Sequence, residues 1–381
     1  MLWPTFIFWG LTILSFICGL AYLTIQLKIR NTWHSIPTDP LDKSFVPRRK
    51  YSVIIAARNE AENIVPCIKS ILNSNFPAEQ FEVMVVDDHS EDETIQSLEA
   101  IQDSRLRVLS LQSGEGKKAA IQQGIQSSEG DWIVTTDADC IWDDQSLQLI
   151  AQKAEGENFK CITGPVLVGQ AENFIERFQE MDFMGTMVVT GSGIHRKTTY
   201  LANGAFLAYP KKMFIDLGGF KGDKNYASGD DILFLQKIAR DYPGSISFIK
   251  NPDHVVRTKA EPNFKSFFQQ RLRWASKTNA FPNKSTWWVM VLVFLNSFFL
   301  VMTFLMGVGG FGKMILVFLF LLINKWVADG LVLQSASRFY SKPLRTFQFL
   351  GGSIFHAFYI TLIGIRVQFP VSYNWKGRVT R

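Results

Sequence analysis

Residues 132–140 read WIVTTDADC, an apolar, β-branched run that ends in two aspartates one residue apart. Along an extended strand, residues i and i+2 point to the same side, so Asp137 and Asp139 can present their carboxylates together. Like charges held that close repel unless a proton or a cation lies between them. A hard, oxygen-seeking divalent ion such as Mg²⁺ or Mn²⁺ meets that need. From this stretch alone, a solvated Asx-type turn accounts for the pair equally well. The surroundings have to decide. Arg58-Asn59-Glu60 follows the apolar run YSVIIAA (51–57), and Asp87-Asp88 closes the run FEVMVVDD (81–88). Taken singly, Glu60 reads as a first-turn helix acid, and Asp87 or Asp88 as an N-cap. Three strand ends that deliver charge to one rim read as a shared site. Gly114-Glu115-Gly116-Lys117-Lys118 adds cations at a helix start, without the spacing of a P-loop. Either lysine can meet a phosphate near a helix N-terminus or simply stand in water.

The elements that must hold these residues alternate in type. After YSVIIAA the pattern changes to helical period, with Ile64, Ile68, Ile71 and Leu72 on one face. FEVMVVDD is a second strand, and Ser90 with Glu93 forms a capping box before a second helix. LRVLSL (106–111) and DWIVTTD (131–137) are further strands, with the helix-like KKAAIQQGIQSS between them. Such alternation predicts an α/β domain over 51–260 with a doubly wound, mostly parallel sheet. Its ligand crevice is expected beyond the carboxyl ends of the strands.

The remainder is membrane-like. The 381 residues are 47% hydrophobic, with 32 Phe and 10 Trp concentrated outside the middle. Residues 2–27 carry no charge and are long enough to cross about 30 Å of hydrocarbon, which predicts an anchor over 1–27. Lys28 and Arg30 open a basic linker (28–50) and place the middle domain in the cytoplasm by the positive-inside rule. A second apolar block, 285–369, holds spans at Trp287–Gly307 and Ile315–Leu333, and a third segment broken by Gly351, Gly352 and His356. The basic tail, 370–381, wants the same side as Arg338, Lys342 and Arg345. A re-entrant or interfacial third segment removes the conflict that a third full crossing creates. Phe264, Phe267, Phe268 and Leu272 recur at helical spacing beside Lys265, Arg271 and Arg273, which predicts an amphipathic interfacial helix within 261–284. Lys325 and Asp329 form an i,i+4 pair inside a span, where ionisable groups are costly. Four cysteines with no CxxC and no paired spacing indicate neither a zinc site nor a disulfide framework, and reduced thiols fit the cytoplasm. The net charge of +6, with Arg48-Arg49-Lys50 near the membrane, suits anionic lipid headgroups rather than nucleic acid.

With VVDDHSEDET, TTDADC, SGDDILFL (228–235) and QRLRW (270–274) in this order, the chain resembles the family 2 glycosyltransferases of GT-A fold. The likeness is to the membrane-bound branch with cellulose, hyaluronan and chitin-oligosaccharide synthases and ceramide glucosyltransferases. It covers about residues 50–280. It implies a nucleotide-diphosphate sugar donor, expected to be UDP-linked, and a metal ion held by Asp139 with Asp137. It also implies that Asp88, with Asp87 beside it, contacts the base and that Glu60 lies by the nucleotide. Asp231 becomes the catalytic base with Asp230 as its neighbour, where many relatives have Glu. Gln270, Arg273 and Trp274 lie at the diphosphate and acceptor, and Asn203, Gly204 and Ala205 with Gly218, Gly219 and Phe220 shape the acceptor side. One base without a second carboxylate nucleophile implies single displacement with inversion. The expected protein is an integral enzyme of a bacterial cell membrane that glycosylates a lipid or glycan hydroxyl once. Processive polymer synthesis is the alternative, and an inactive sugar-binding scaffold would lack one of the acids, none of which is missing.

Overall fold

The computed structural model describes residues 2–220, 230–370, 373–376 and 378–380. In chain order they form α1 (Leu2–Ser35), β1 (Tyr51–Ala57), α2 (Ile64–Leu72), β2 (Phe81–Asp87), α3 (Thr94–Glu99), β3 (Leu106–Ser110) and α4 (Lys117–Ser127). Next come β4 (Trp132–Asp137), α5 (Ser146–Gly156), β5 (Cys161–Thr163), β6 (Val166–Val168), α6 (Phe174–His195), β7 (Leu207–Pro210) and α7 (Lys211–Asp216). The remainder is α8 (Asp230–Asp241), β8 (Ile246–Phe248), β9 (Val256–Thr258), α9 (Phe264–Ala275), α10 (Lys284–Val308), α11 (Met314–Tyr340), α12 (Thr346–Arg366), β10 (Tyr373–Trp375) and β11 (Arg378–Thr380).

Seven strands make the central sheet, in the order β3-β2-β1-β4-β7-β5-β8. Only β7 runs antiparallel to its neighbours, so the sheet is mostly parallel, as the alternating pattern predicts. Val53, Ile54 and Ile55 of β1 and every residue of β2 are buried, because helices cover both faces. The chain winds outward from β1 through β2 to β3, then returns to β4 on the other side of β1. That reversal opens a crevice beyond the carboxyl ends of β1 and β4. Register aligns the rim: Ala57 lies opposite Asp87, and Ala56 opposite Asp137.

Four helices are long and apolar enough to cross a membrane: α1 over residues 8–35, α10, α11 and α12. Helix α1 continues eight residues past the uncharged stretch, through Lys28 and Arg30. Its end is fixed to the α/β domain. The Lys250 ammonium donates to the carbonyls of Trp33 (2.6 Å) and Ile36 (2.8 Å), a cation at a helix C-terminus. The Trp33 ring packs edge-on against Phe248 and Phe339.

Three expectations need revising. Ser90 and Glu93 form no capping box: Glu93 is the residue before α3 and caps nothing, and Ser90 Oγ accepts from the Asn59 N–H. Helix α12 is unbroken through Gly351, Gly352 and His356. Gly352 serves close packing instead: a Cβ there would sit 2.5 Å from Cε of Met181 on α6. The amphipathic helix is the 12-residue α9, and Phe267 and Leu272 of its apolar face are buried against protein. Phe267 is fully buried, with its ring 5.8 Å from Phe178 of α6 and 5.3 Å from Tyr359 of α12. Phe264 alone of the four predicted apolar residues is largely exposed.

Candidate active site

The crevice at the strand reversal is where the sequence motifs converge. After β1 the backbone turns at Asn59, which takes φ +51°, a left-handed conformation that Asn tolerates. The turn is held from the second strand's loop: Asn59 N–H donates to Ser90 Oγ, and Glu60 N–H to Thr94 Oγ1. Arg58, buried, donates to the carbonyls of Asp88 (2.8 Å) and His89 (2.7 Å) and pairs with Glu91. The β1 and β2 loops thus form one unit, and Glu60 is carried to the cavity wall.

Asp137 ends β4, and its carboxylate pairs with the Lys117 ammonium from the start of α4. Lys117 can reach it because Gly116, the residue before α4, adopts φ +88°, a conformation favouring glycine. The Gly116 N–H donates to Asp88 Oδ2 at 3.0 Å, which clamps this loop to the end of β2. Burial alone would raise the Asp137 pKa. The Lys117 charge and hydrogen bond, with Arg273 and Lys376 further off, outweigh it and hold the carboxyl below its usual range. Asp139 behaves oppositely. Burial, then the charges of Asp137 and Glu60, push its pKa up to about 6, although Thr258 Oγ1 donates to it at 3.0 Å.

Ligand atoms of Asp137, Asp139 and Cys140 lie within 4.8 Å of one another. The two carboxylates fit a hard divalent ion, since a cation between them would relieve the repulsion that raises Asp139. The Cys140 thiol does not fit, because soft sulfur is a poor ligand for such a hard ion.

On the opposite wall, Asp231 stands in the first turn of α8, with Oδ1 accepting from the Ile232 N–H. The side chain of Asp230 and residues 221–229, including Ser228 and Gly229, lie outside the described residues. Gly204 locates the centre of the site. A Cβ on it would lie 2.7 Å from Lys117 Nζ, 3.5 Å from Asp231 Oδ2 and 3.8 Å from Asp137 Oδ1. Asn203 Oδ1 accepts from the Ala205 N–H and shapes this turn. From α9, Gln270 donates to Glu261 Oε1 at 3.0 Å. Arg271 pairs with Asp182 of α6 at 2.8 Å and lies 4.5 Å over the Trp274 ring. Arg273 and Trp274 are half-buried on the same wall.

One cavity of about 1640 Å³ joins these walls. Glu60, Lys117, Lys118, Asp137, Asp139, Asn203, Gly204, Phe220, Asp231, Gln270, Arg273 and Trp274 all line it. Asp87 and Asp88 are not among its lining residues. Both are buried under the rim: Asp87 Oδ2 accepts from the Ser90 N–H, and Asp88 from Gly116 and the His89 ring. The sequence reading also missed a participant. Lys376, at the turn between β10 and β11, reaches back to the Glu60 carboxylate, and Arg58 Nε donates to its carbonyl at 3.2 Å. No local pattern marks such a contact, because the partners lie 316 positions apart. Thr258, from β9, was missed for the same reason.

A mostly parallel sheet with its crevice at the strand reversal is the arrangement of the GT-A fold. Residues 52–218 match the profile of Glycosyl transferase family 2. Among curated proteins, it is 24% identical over 284 residues to a beta-monoglucosyldiacylglycerol synthase of Synechocystis, covering 72% of this chain and 56% of that one. It is 22% identical over 215 residues to the poly-beta-1,6-N-acetyl-D-glucosamine synthase of Staphylococcus aureus, covering 54% and 50%. The chain thus spans about half the length of these curated relatives. Among solved structures, a mannosyltransferase from Pyrobaculum calidifontis in complex with GDP-Man and Mn²⁺ superimposes with a TM-score of 0.58 at 19% identity. That match covers 94% of this chain and 97% of that one, and it speaks to the fold.

Proposed function

We propose that this protein is a membrane-embedded, metal-dependent, inverting glycosyltransferase that moves a sugar from a nucleotide diphosphate, UDP in the first instance, to a hydroxyl of a lipid or glycan. The observation that carries this reading is the single cavity. It holds Lys117, Asp137, Asp139, Asp231 and Arg273, and it continues between the candidate membrane helices. In the reaction the acceptor oxygen bonds to the anomeric carbon from one face while the bond to the diphosphate breaks on the other. Asp231 takes the acceptor's proton as that bond forms. Negative charge grows on the departing diphosphate, and Arg273, Lys117 and Lys376 supply charge-assisted hydrogen bonds to it. Asp139 and Asp137 would hold a Mg²⁺ or Mn²⁺ ion, which would supply Lewis-acid neutralisation of that charge. Trp274, oriented by Arg271, offers a flat apolar face to a sugar ring. Asp88 then serves the nucleotide by holding the Gly116 turn, whether or not it also meets the base. The catalytic domain faces the cytoplasm of a bacterial cell, and four apolar helices favour single transfer over extrusion of a long polymer.

The test is turnover of purified full-length protein with a panel of UDP- and GDP-sugars, read as diphosphate release. Asp231→Asn should still bind the donor while turnover falls by about 10²–10⁴-fold. Parental turnover in that variant would remove Asp231 from the mechanism. No turnover with any donor in the panel would remove the function.

A further inference from the structure

Helix α8 carries one polar side chain where its neighbours are apolar. Gln236 stands among Leu233, Phe234, Leu235 and Ile238, all buried, and is itself only 1% exposed. An amide in such a place is costly unless both of its ends are paired. Here both are. Its Nε2 donates to the Tyr200 carbonyl at 3.1 Å, and its Oε1 accepts from the Asn283 N–H at 3.2 Å. Asn283 caps α10, and its side chain accepts from the Thr286 N–H (2.7 Å) and from Thr286 Oγ1 (2.8 Å). Thr286, fully buried, accepts in turn from the Tyr200 N–H at 3.0 Å. The hydrogen bonds close into a ring that holds both backbone groups of Tyr200. Tyr200 leads directly into Leu201, Ala202, Asn203 and Gly204, which line the cavity, whereas Gln236, Asn283 and Thr286 do not. Helix α8 meets the same segment a second time, because Asp231 Oδ2 would lie 3.5 Å from a Cβ on Gly204.

We propose that Gln236 is a positioning residue for the transfer step: through Tyr200 it sets where the Asn203–Gly204 turn stands against Asp231, and with Asn283 and Thr286 it makes the start of α10 part of that setting. The inference rests on the glycosyltransferase reading above and adds residues that lie outside the cavity. Gly204 stands between Asp231 on one side and Lys117 with Asp137 on the other, so the ring fixes the gap in which an acceptor hydroxyl must approach the sugar. Displacing reacting groups by about 1 Å costs up to about 10²-fold in rate. Lys117, Asp137 and Arg273, which face the donor's diphosphate, belong to α4, β4 and α9, and the ring touches none of these elements. Breaking the ring should therefore slow the step without weakening donor binding.

The experiment uses full-length protein in lipid nanodiscs, with the nucleotide sugar that it turns over, read as diphosphate release well below the Tm of each variant. Gln236→Leu and Thr286→Val, which keep the volume and remove the hydrogen bonds, should each lower kcat by about 10–10²-fold. The nucleotide-sugar KM should stay within about threefold of the parental value. Thr286→Ser keeps the hydroxyl and should turn over at the parental rate. The double variant Gln236→Leu/Thr286→Val should be within about threefold of the slower single variant, because both break one ring. Should Gln236→Leu fail to fold, the contrast between Thr286→Val and Thr286→Ser carries the test alone. Parental kcat in Thr286→Val would overturn the inference and leave the transferase reading standing. So would equal losses in Thr286→Val and Thr286→Ser, or a rise in donor KM as large as the fall in kcat. Absence of turnover by the parental protein with every nucleotide sugar would instead overturn the transferase reading, and this inference with it.

Discussion

At the scale of single residues, the site's behaviour follows from where charge is compensated and where it is not. Asp137 has Lys117 against it, whereas Asp139 faces Asp137 and Glu60 with neutral donors, the Thr258 hydroxyl and the Cys140 thiol, and no cation paired to it among the described residues. A carboxyl whose folded pKa is raised to about 6 binds protons more readily than in the unfolded chain. Its destabilising effect is absent below the unfolded value and grows as pH rises through about 6. Metal-free protein should therefore lose thermal stability between about pH 4 and pH 7, all else equal. Mn²⁺ should raise Tm more at pH 7.5 than at pH 5, because the ion must displace the proton at the lower pH. Differential scanning fluorimetry of wild type and Asp139→Asn checks this, and an equal Mn²⁺ shift in both proteins would exclude Asp139 as a ligand. Gly204 gives a second handle. An alanine Cβ would press on Lys117 Nζ, the movable end of a flexible side chain, so Gly204→Ala should fold normally yet separate Lys117 from Asp137. Losing one charge-assisted contact is worth about 1.5–3 kcal/mol, so kcat/KM for the nucleotide sugar should drop at least about tenfold. An unchanged kcat/KM would mean that Lys117 takes no part in the reaction.

At the scale of elements, the strands and the site's outline were legible because they depend on local pattern. Val-Ile-Ile in β1 and Val-Met-Val-Val in β2 read as buried parallel strands, and their acidic ends share a rim by register alone. The outline of α9 was legible too, but its environment was not. An amphipathic stripe looks the same whether it meets lipid or protein, and here Phe178, Phe355 and Tyr359 fill the space opposite Phe267. Likewise Gly351-Gly352 reads as a break until Met181 is seen against Gly352. The packing of α9 sets a prediction. Phe267→Asp would lose about 1.5–3 kcal/mol of burial and leave an uncompensated charge costing several kcal/mol more. The variant should be markedly less stable in detergent, judged by Tm and size-exclusion profile, rather than merely detached from a membrane. Parental stability would return α9 to the lipid surface.

At the scale of the whole molecule, α12 raises a question of sides. It starts a few residues after Tyr340, whose hydroxyl donates to the Val166 carbonyl of the catalytic domain. Ten residues past its end, Lys376 touches Glu60. Both ends are thus tied to the same domain, although a 21-residue helix is about 30 Å long and matches a bilayer. Cysteines introduced by Arg345→Cys and Gln368→Cys should be labelled by an impermeant maleimide from the same side as the catalytic domain, the native cysteines all being buried. Labelling from opposite sides would make α12 a full crossing. The Lys376–Glu60 contact also bears on how the protein is made. A ribosome adds about 5–20 residues per second, so some 316 residues separate the two partners by roughly 15–60 s of synthesis. In the last part of that interval, once β8 has been made, the sheet is complete but one wall of its cavity is missing. The wall arrives only after α10, α11 and α12 have been made. Biogenesis itself thereby sets the moment of activation: a nascent chain not yet embedded has an incomplete cavity in which to use donor sugar.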